Sequence, residues 1–253
     1  MNIDILLPTR ARPNRVEELL DSIEKTADDL SKIFVYFYVD DDDTKTIDHI
    51  GKVLKKYSIN ISFIIGERIV LSEAWNKLWK ESNSEILMLC ADDVRFESSG
   101  WDTLVREQFE KSKDKILFVF GNDGITPKNH YGEGFGTHGF VSRKSTEILN
   151  YFVPPYFACN FNDTWINTLY GKRGWNRSYQ QKGPERGVDR KVELYDEMII
   201  KHYHCSVYGE YADSTEGEMR GKMSESTGLF FSKELVDKRI EDIEKLKKHL
   251  ISN

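Results

Sequence analysis

Ile86-Leu87-Met88-Leu89-Cys90-Ala91-Asp92-Asp93 is the stretch on which the reading of this chain turns. Its apolar run is far too short for a membrane span and suits a buried strand. The strand stops on two adjacent carboxylates, which repel each other unless a cation or a donor compensates them. Two accounts fit the pair. Hard oxygen ligands select Mg²⁺ or Mn²⁺, ions that keep open positions for substrate phosphates. Alternatively, an aspartate here caps whatever begins at residues 94–96.

The same alternation of apolar runs and helical spacing extends to either side. Residues 3–7 form a short strand, stopped by Pro8 and the turn to Pro13; Val16, Leu19, Leu20 and Ile23 then recur at helical spacing. Residues 33–39 (IFVYFYV) are β-branched and aromatic and end abruptly at Asp40. A helix through Ile47, Ile50, Val53 and Leu54 follows, then a strand at 59–65 and a helix through Ala74, Trp75, Leu78 and Trp79. Beyond Asp93, Leu104, Val105 and Phe109 mark a helix and 116–120 a strand. Strands separated by amphipathic helices predict an α/β protein with a mostly parallel central sheet flanked by helices. Such sheets bind ligands beyond the carboxyl ends of their strands. Here those ends carry Pro8-Thr9-Arg10, Asp40 and Asp92-Asp93.

After residue 121 glycines crowd together and loops with little regular structure are expected. Short helices are predicted at 144–152 and 163–170, an exposed loop at 171–191, a strand at 198–207 and a helix over 235–250 that packs on the sheet or mediates dimerisation.

The chain has 253 residues, a formal net charge of −6, and 39% hydrophobic and 12% aromatic residues. This composition can bury a sizeable core and argues against intrinsic disorder. Mild acidity argues against a globally nucleic-acid-binding surface. No membrane span is present, residues 1–20 carry charges throughout, and no signal peptide is expected. Cys90, Cys159 and Cys205 lack C-x-x-C spacing, which excludes a full disulfide framework and a zinc ribbon. A soluble cytoplasmic protein is expected.

Further candidates for chemistry are local. Asp40 is the member of the Asp40–Asp43 cluster held most rigidly by the sheet, placed to accept an N–H from a base such as uracil; the other three suit solvent and capping. On a strand at 198–207, His202 and His204 would share a face, where they read either as structural residues or as ligands of a divalent ion. Asp163 precedes a helical run and reads either as its N-cap, with Trp165 in the core, or as a general base for an acceptor hydroxyl. Neither a G-x-G-x-x-G nor a P-loop follows the first strand, so a phosphate ligand needs a metal for neutralisation.

Taken in order, these marks resemble the metal-dependent GT-A glycosyltransferases (the nucleotide-diphospho-sugar transferase fold), in particular the family 2-like group with its compact phage and bacterial members. The likeness spans about residues 3–213. Ile5-Leu6-Leu7-Pro8-Thr9-Arg10 with Arg12 is similar to the family's nucleotide-contacting loop, Val39-Asp40-Asp41 to its base-reading strand end, and Ser72-Glu73-Ala74-Trp75-Asn76 with residues 86–93 to the run leading into its D-x-D motif. Position 91 is Ala, so the motif reads A-D-D; the resemblance then implies Asp93 as metal ligand and Asp92 as holder of ribose or a water. Asn162-Asp163 resembles the acidic pair whose second member is the base, and His202-Tyr203-His204 with Gly209 and Asp213 the late H-x-H segment. His204 is the preferred metal ligand and His202 the alternative.

The resemblance implies a donor site of Pro8, Thr9, Arg10, Arg12, Asp40, Asn76 and Asp92, a metal site for Mn²⁺ or Mg²⁺ at Asp93 with His204 or His202, and Asp163 as base. It implies a catalytic domain over 1–232, with a nucleotide-binding half (1–120) and an acceptor-side half (121–232), followed by a C-terminal helix in 233–253. The implied reaction is inverting transfer from a nucleotide-diphosphate sugar, with UDP favoured, to a hydroxyl of a glycan or of a modified phage DNA base, in the host cytoplasm if phage-encoded. Lys172, Arg173, Arg177, Lys182, Arg186, Arg190 and Lys191 outnumber Glu185 and Asp189, with Trp175 and Tyr179 interleaved, so 172–191 is a candidate contact for a polyanionic acceptor. Two other readings compete. A sugar-1-phosphate nucleotidyltransferase usually needs a glycine-rich loop where residues 8–13 have no glycine; a non-catalytic nucleic-acid-binding module would use 172–191 alone.

Overall fold

The computed structural model describes residues 1–129, 132–172, 186–209 and 223–251, without the side chains of 223–225. The first half follows the sequence pattern closely: β1 (Ile3–Thr9), α1 (Pro13–Thr26), β2 (Ile33–Asp40), α2 (Thr44–Val53), β3 (Asn60–Gly66), α3 (Leu71–Glu81) and β4 (Ile86–Leu89). There follow β5 (Val94–Phe96), α4 (Trp101–Lys111), β6 (Phe118–Asn122), β7 (Phe140–Ser142), α5 (Arg143–Leu149), α6 (Asn162–Tyr170), β8 (Lys191–His202), α7 (Met223–Phe230) and α8 (Lys233–Lys247). Among the described residues, no helix is long and apolar enough to cross a membrane.

The strands form one sheet in the order β3-β2-β1-β4-β7-β6-β8-β5. From β3 to β4 all pairings are parallel, as crossover helices require. β7 breaks that rule by running antiparallel between β4 and β6, and β8 runs parallel to β6. Helices cover both faces, and β1 shows the sorting plainly: Ile3, Ile5 and Leu7 enter one core with Val16, Leu19, Trp101 and Phe109, whereas Leu6 enters the other with Trp75, Leu78, Trp165 and Phe230. α8 closes the second core with Leu235, Ile243 and Leu246.

Three expectations are corrected. The glycine-rich stretch runs directly into β7, a strand of three residues whose signal is too short for periodicity to reveal. Its close packing uses a glycine: a Cβ at Gly139 would overlap the Phe118 ring. Residues 94–96 are a buried strand and not a helix, so Asp92 and Asp93 cap nothing there. Finally, β8 begins at Lys191, within the supposed loop, and ends at His202. Beyond it the backbone turns, with the N–H groups of Val207 and Tyr208 donating to the His204 carbonyl, so strand alternation does not put His202 and His204 on one face.

Of the basic stretch, residues 173–185 lie outside the described part, as does Asp213. Lys172 pairs with Asp189 at 3.8 Å, Arg190 with Asp114 at 3.9 Å, and Lys191 Nζ donates to the Gly134 carbonyl at 3.2 Å.

Candidate metal centre and donor site

Strand direction decides which side chains meet. β1, β2, β4, β6 and β8 all point their carboxyl ends to one edge of the sheet. Antiparallel β7 brings its amino side to the same edge, and so does β5 through its antiparallel pairing with β8. Val94 lies opposite His202, which sets Asp93 beside that imidazole. The Tyr203 N–H donates to the Asp93 carbonyl at 2.7 Å and the His202 N–H to the Asp123 carbonyl at 2.9 Å, locking β5, β6 and β8 together at this point.

Asp93 Oδ2 lies 3.4 Å from His202 Nε2. The third member of the group is His138, two residues before β7, and ligand atoms of Asp93, His138 and His202 all lie within 4.8 Å of one another. The His138 and His202 rings meet edge to face with centroids 4.7 Å apart. Both histidines are over nine-tenths buried, at 9% and 7% exposure. Asp93 Oδ1, His138 Nε2 and His202 Nδ1 are buried with no hydrogen-bond partner among the described residues. Unpaired buried polar atoms are costly, and each of these three residues carries one in a group whose ligand atoms could hold a metal ion. The donor set of one carboxylate and two imidazoles fits a divalent ion such as Mn²⁺.

His204 is not part of this group. Its Nδ1 lies 2.6 Å from Ser206 Oγ and accepts the Ser206 N–H, and its ring centroid is 5.1 Å from that of His202.

The titration behaviour follows from the packing. Burial pushes the His138 imidazole down to about 3, helped by the neighbouring His202. Burial also disfavours the charged forms of Asp93 and His202, but their mutual attraction prevails, lowering the Asp93 carboxyl and raising the His202 imidazole. Asp92 shows the opposite balance. Burial raises it, although Arg12 Nη1 at 3.0 Å and Thr9 Oγ1 at 2.7 Å both donate to its carboxylate.

The other expected donor-site residues divide. Pro8 and Thr9 end β1 beside Tyr38 and Val39. Ala11, at φ 57, turns the chain so that its N–H donates to Asp43 Oδ2 at 2.6 Å, which brings Arg10 and Arg12 over the sheet edge. Arg10 donates to Asp40 Oδ2 at 2.8 Å and bridges to Asp42, so the base-reading candidate is already paired with a cation. Asn76 is engaged with backbone groups. Its amide donates to the carbonyls of Ser72 and Val153, each at 2.9 Å, and its Oδ1 accepts the N–H groups of Phe152 at 2.8 Å and Val153 at 3.2 Å. One amide N–H and the carbonyl oxygen clamp α3 to the segment after α5, and the other N–H bonds back within α3.

Asp163 lies in the first turn of α6 with Phe161 in the cap position at φ 68, so it is not the N-cap; Trp165 is fully buried as expected. The negative charge of Asp163 is one of several that favour the protonated His202 imidazole. One residue that sequence reasoning missed, Asn167, ties the helix of Asp163 to its surroundings. Asn167 bonds to both the N–H and the carbonyl of Gly136 and donates to the Asp163 carbonyl, joining α6 to the segment that carries His138. Ser72 and Asn162 exchange hydrogen bonds between α3 and α6. The only advance signal for His138 is its place in Thr137-His138-Gly139-Phe140-Val141, a histidine next to a short apolar run inside a glycine-rich segment.

No family model matches the sequence, and no curated protein matches it. Solved structures do match. The mannosyltransferase PcManGT from Pyrobaculum calidifontis, in complex with GDP-Man and Mn²⁺, superposes with a TM-score of 0.59 at 12% identity, over 98% of this chain and 73% of that one. S. aureus TarS 1-349 in complex with UDP gives 0.59 at 14% identity over 91% and 72%. The same protein with UDP-GlcNAc gives 0.57 at 13% identity over 99% and 82%. The architecture is therefore that of the GT-A glycosyltransferases.

Proposed function

We propose that this protein is a metal-dependent, inverting glycosyltransferase that moves a sugar from a nucleoside-diphosphate sugar, with UDP favoured, to an acceptor hydroxyl. The observation that carries the reading is the meeting of Asp93, His138 and His202, with three unpartnered buried atoms, at the carboxyl edge of a GT-A sheet. The neighbours in this fold bind GDP-Man with Mn²⁺, UDP, and UDP-GlcNAc, which supports the donor class.

A divalent cation bound to Asp93 and His202 would supply neutralisation of the diphosphate as it leaves. The rest falls to the chain. Thr9 and Arg12 hold Asp92 in a fixed, buried position from which it orients the ribose or a water. Asp40, steadied by Arg10, is the group that reads the base edge. Asp163 takes the proton of the acceptor hydroxyl as its oxygen bonds to the anomeric carbon; the bond from that carbon to the phosphate oxygen breaks on the opposite side, and the nucleoside diphosphate leaves with the electron pair. One displacement inverts the anomeric configuration. The acceptor is a glycan or a modified DNA base.

A panel of nucleotide sugars screened for Mn²⁺-dependent hydrolysis and thermal stabilisation tests the reading. One or more UDP-sugars should raise the melting temperature and be hydrolysed with Mn²⁺; a panel with neither effect overturns it. Transfer to hydroxymethylated DNA and to neutral glycans at several salt concentrations then separates the acceptors, since binding to a polyanion weakens with salt.

A further inference from the structure

A metal site that borrows most of its ligands from substrate phosphates is filled only when the nucleotide arrives. The site here is built differently. His138 Nδ1 lies 3.3 Å from the Leu89 carbonyl, which can only accept, so Nδ1 carries the hydrogen and the lone pair stands on Nε2. That Nε2 is buried and has no hydrogen-bond partner among the described residues, and His138 offers a ligand atom within 4.8 Å of those of Asp93 and His202. A histidine whose other ring nitrogen donates to a backbone carbonyl is oriented as a ligand before any ion binds. The carbonyl belongs to the end of β4, and the Leu89 N–H donates in turn to Gly139 at 2.9 Å, so the imidazole is fixed by the sheet ladder itself.

We propose that His138, His202 and Asp93 form a resident transition-metal centre that binds Mn²⁺ without nucleotide and discriminates against Mg²⁺. The inference deepens the glycosyltransferase reading by naming His138 as a ligand and fixing the order of binding. Three protein ligands already converge, so the ion does not need the diphosphate to complete a minimal set. Two imidazole nitrogens favour first-row transition ions, whereas Mg²⁺ holds its waters and prefers an oxygen environment.

The test is a Mn²⁺ titration of nucleotide-free protein followed by the electron paramagnetic resonance signal of the free ion. One Mn²⁺ per chain should bind, a hundredfold excess of Mg²⁺ should leave most of it bound, and His138→Gln should weaken binding by about 10–100-fold or more. Mn²⁺ uptake that appears only after UDP is added overturns the inference and leaves the glycosyltransferase reading standing, as does equal competition by Mg²⁺. Because both measurements use the unaltered chain, they decide the matter even if the variant fails to fold. Tight nucleotide-free binding with no reaction on any nucleotide sugar would sustain the metal centre and remove the enzyme reading.

Discussion

Asp92 and Asp93 are consecutive in the chain and face different partners: Asp92 is held by Thr9 and Arg12 at the ends of β1 and the start of α1, whereas Asp93 faces His202 at the end of β8. The like charges that made the pair conspicuous in sequence are thereby separated into two tasks. One carboxylate is fixed by donors, and the other is left with a buried oxygen unpaired.

Asp93→Asn should remove Mn²⁺-dependent turnover while preserving the fold. The amide keeps the shape of the side chain but loses the charge that attracts both the cation and the His202 imidazole. Circular dichroism should match wild type as turnover falls to background; a variant that still transfers sugar with Mn²⁺ would remove Asp93 from the ligand set.

Asp163→Asn should lower kcat by about 10²–10⁴-fold, the usual range for loss of a general base, with Mn²⁺ affinity and donor KM little changed. The same assignment requires inversion. NMR of the product should show an anomeric configuration opposite to that of the donor sugar, and a retained configuration contradicts the role given to this residue.

Asn76→Ala should cost stability and not donor affinity. It leaves the Phe152 and Val153 N–H groups and the Val153 carbonyl without this partner. The expected loss is about 2–4 kcal/mol in urea unfolding, with donor KM unchanged. A raised KM at undiminished stability would return Asn76 to the donor site.

His138 should make the chelated protein less stable as pH falls from 6.5 towards 3. Burial keeps the folded imidazole neutral down to about 3, whereas the unfolded chain takes up the proton near 6.5. A depressed folded value means that this contribution is complete above 6.5 and is lost on acidification, at up to about 1.4 kcal/mol per pH unit. His202 works in the other window: its raised folded value gives stability below 6.5 that is lost as pH climbs. Asp93, Asp123 and the Leu89 carbonyl also face His138, so the comparison is made between wild type and His138→Gln in chelator. The variant should lose less stability between pH 6.5 and 4; parallel curves would contradict the burial argument.

The sequence by itself determined the parallel half of the sheet. Its strands and helices are apolar patterns that report locally on burial in β1, β2 and β4, although Phe63 and Ile65 of β3 remain exposed. The same patterns exposed the carboxyl edge, because a buried strand that stops on Thr9, Asp40 or Asp92-Asp93 shows its polar end directly. Only the tertiary structure decided which histidines face Asp93. His138 reaches the edge because a three-residue strand is inserted antiparallel between β4 and β6, and His202 because β8 ends opposite Val94. Positions 93, 138 and 202 meet through strand order and register, which are long-range pairings, and no periodicity within a single segment encodes them. Asn76 shows the reverse case: a polar residue beside a motif is drawn into backbone hydrogen bonds, since the buried carbonyls and N–H groups around it must be satisfied.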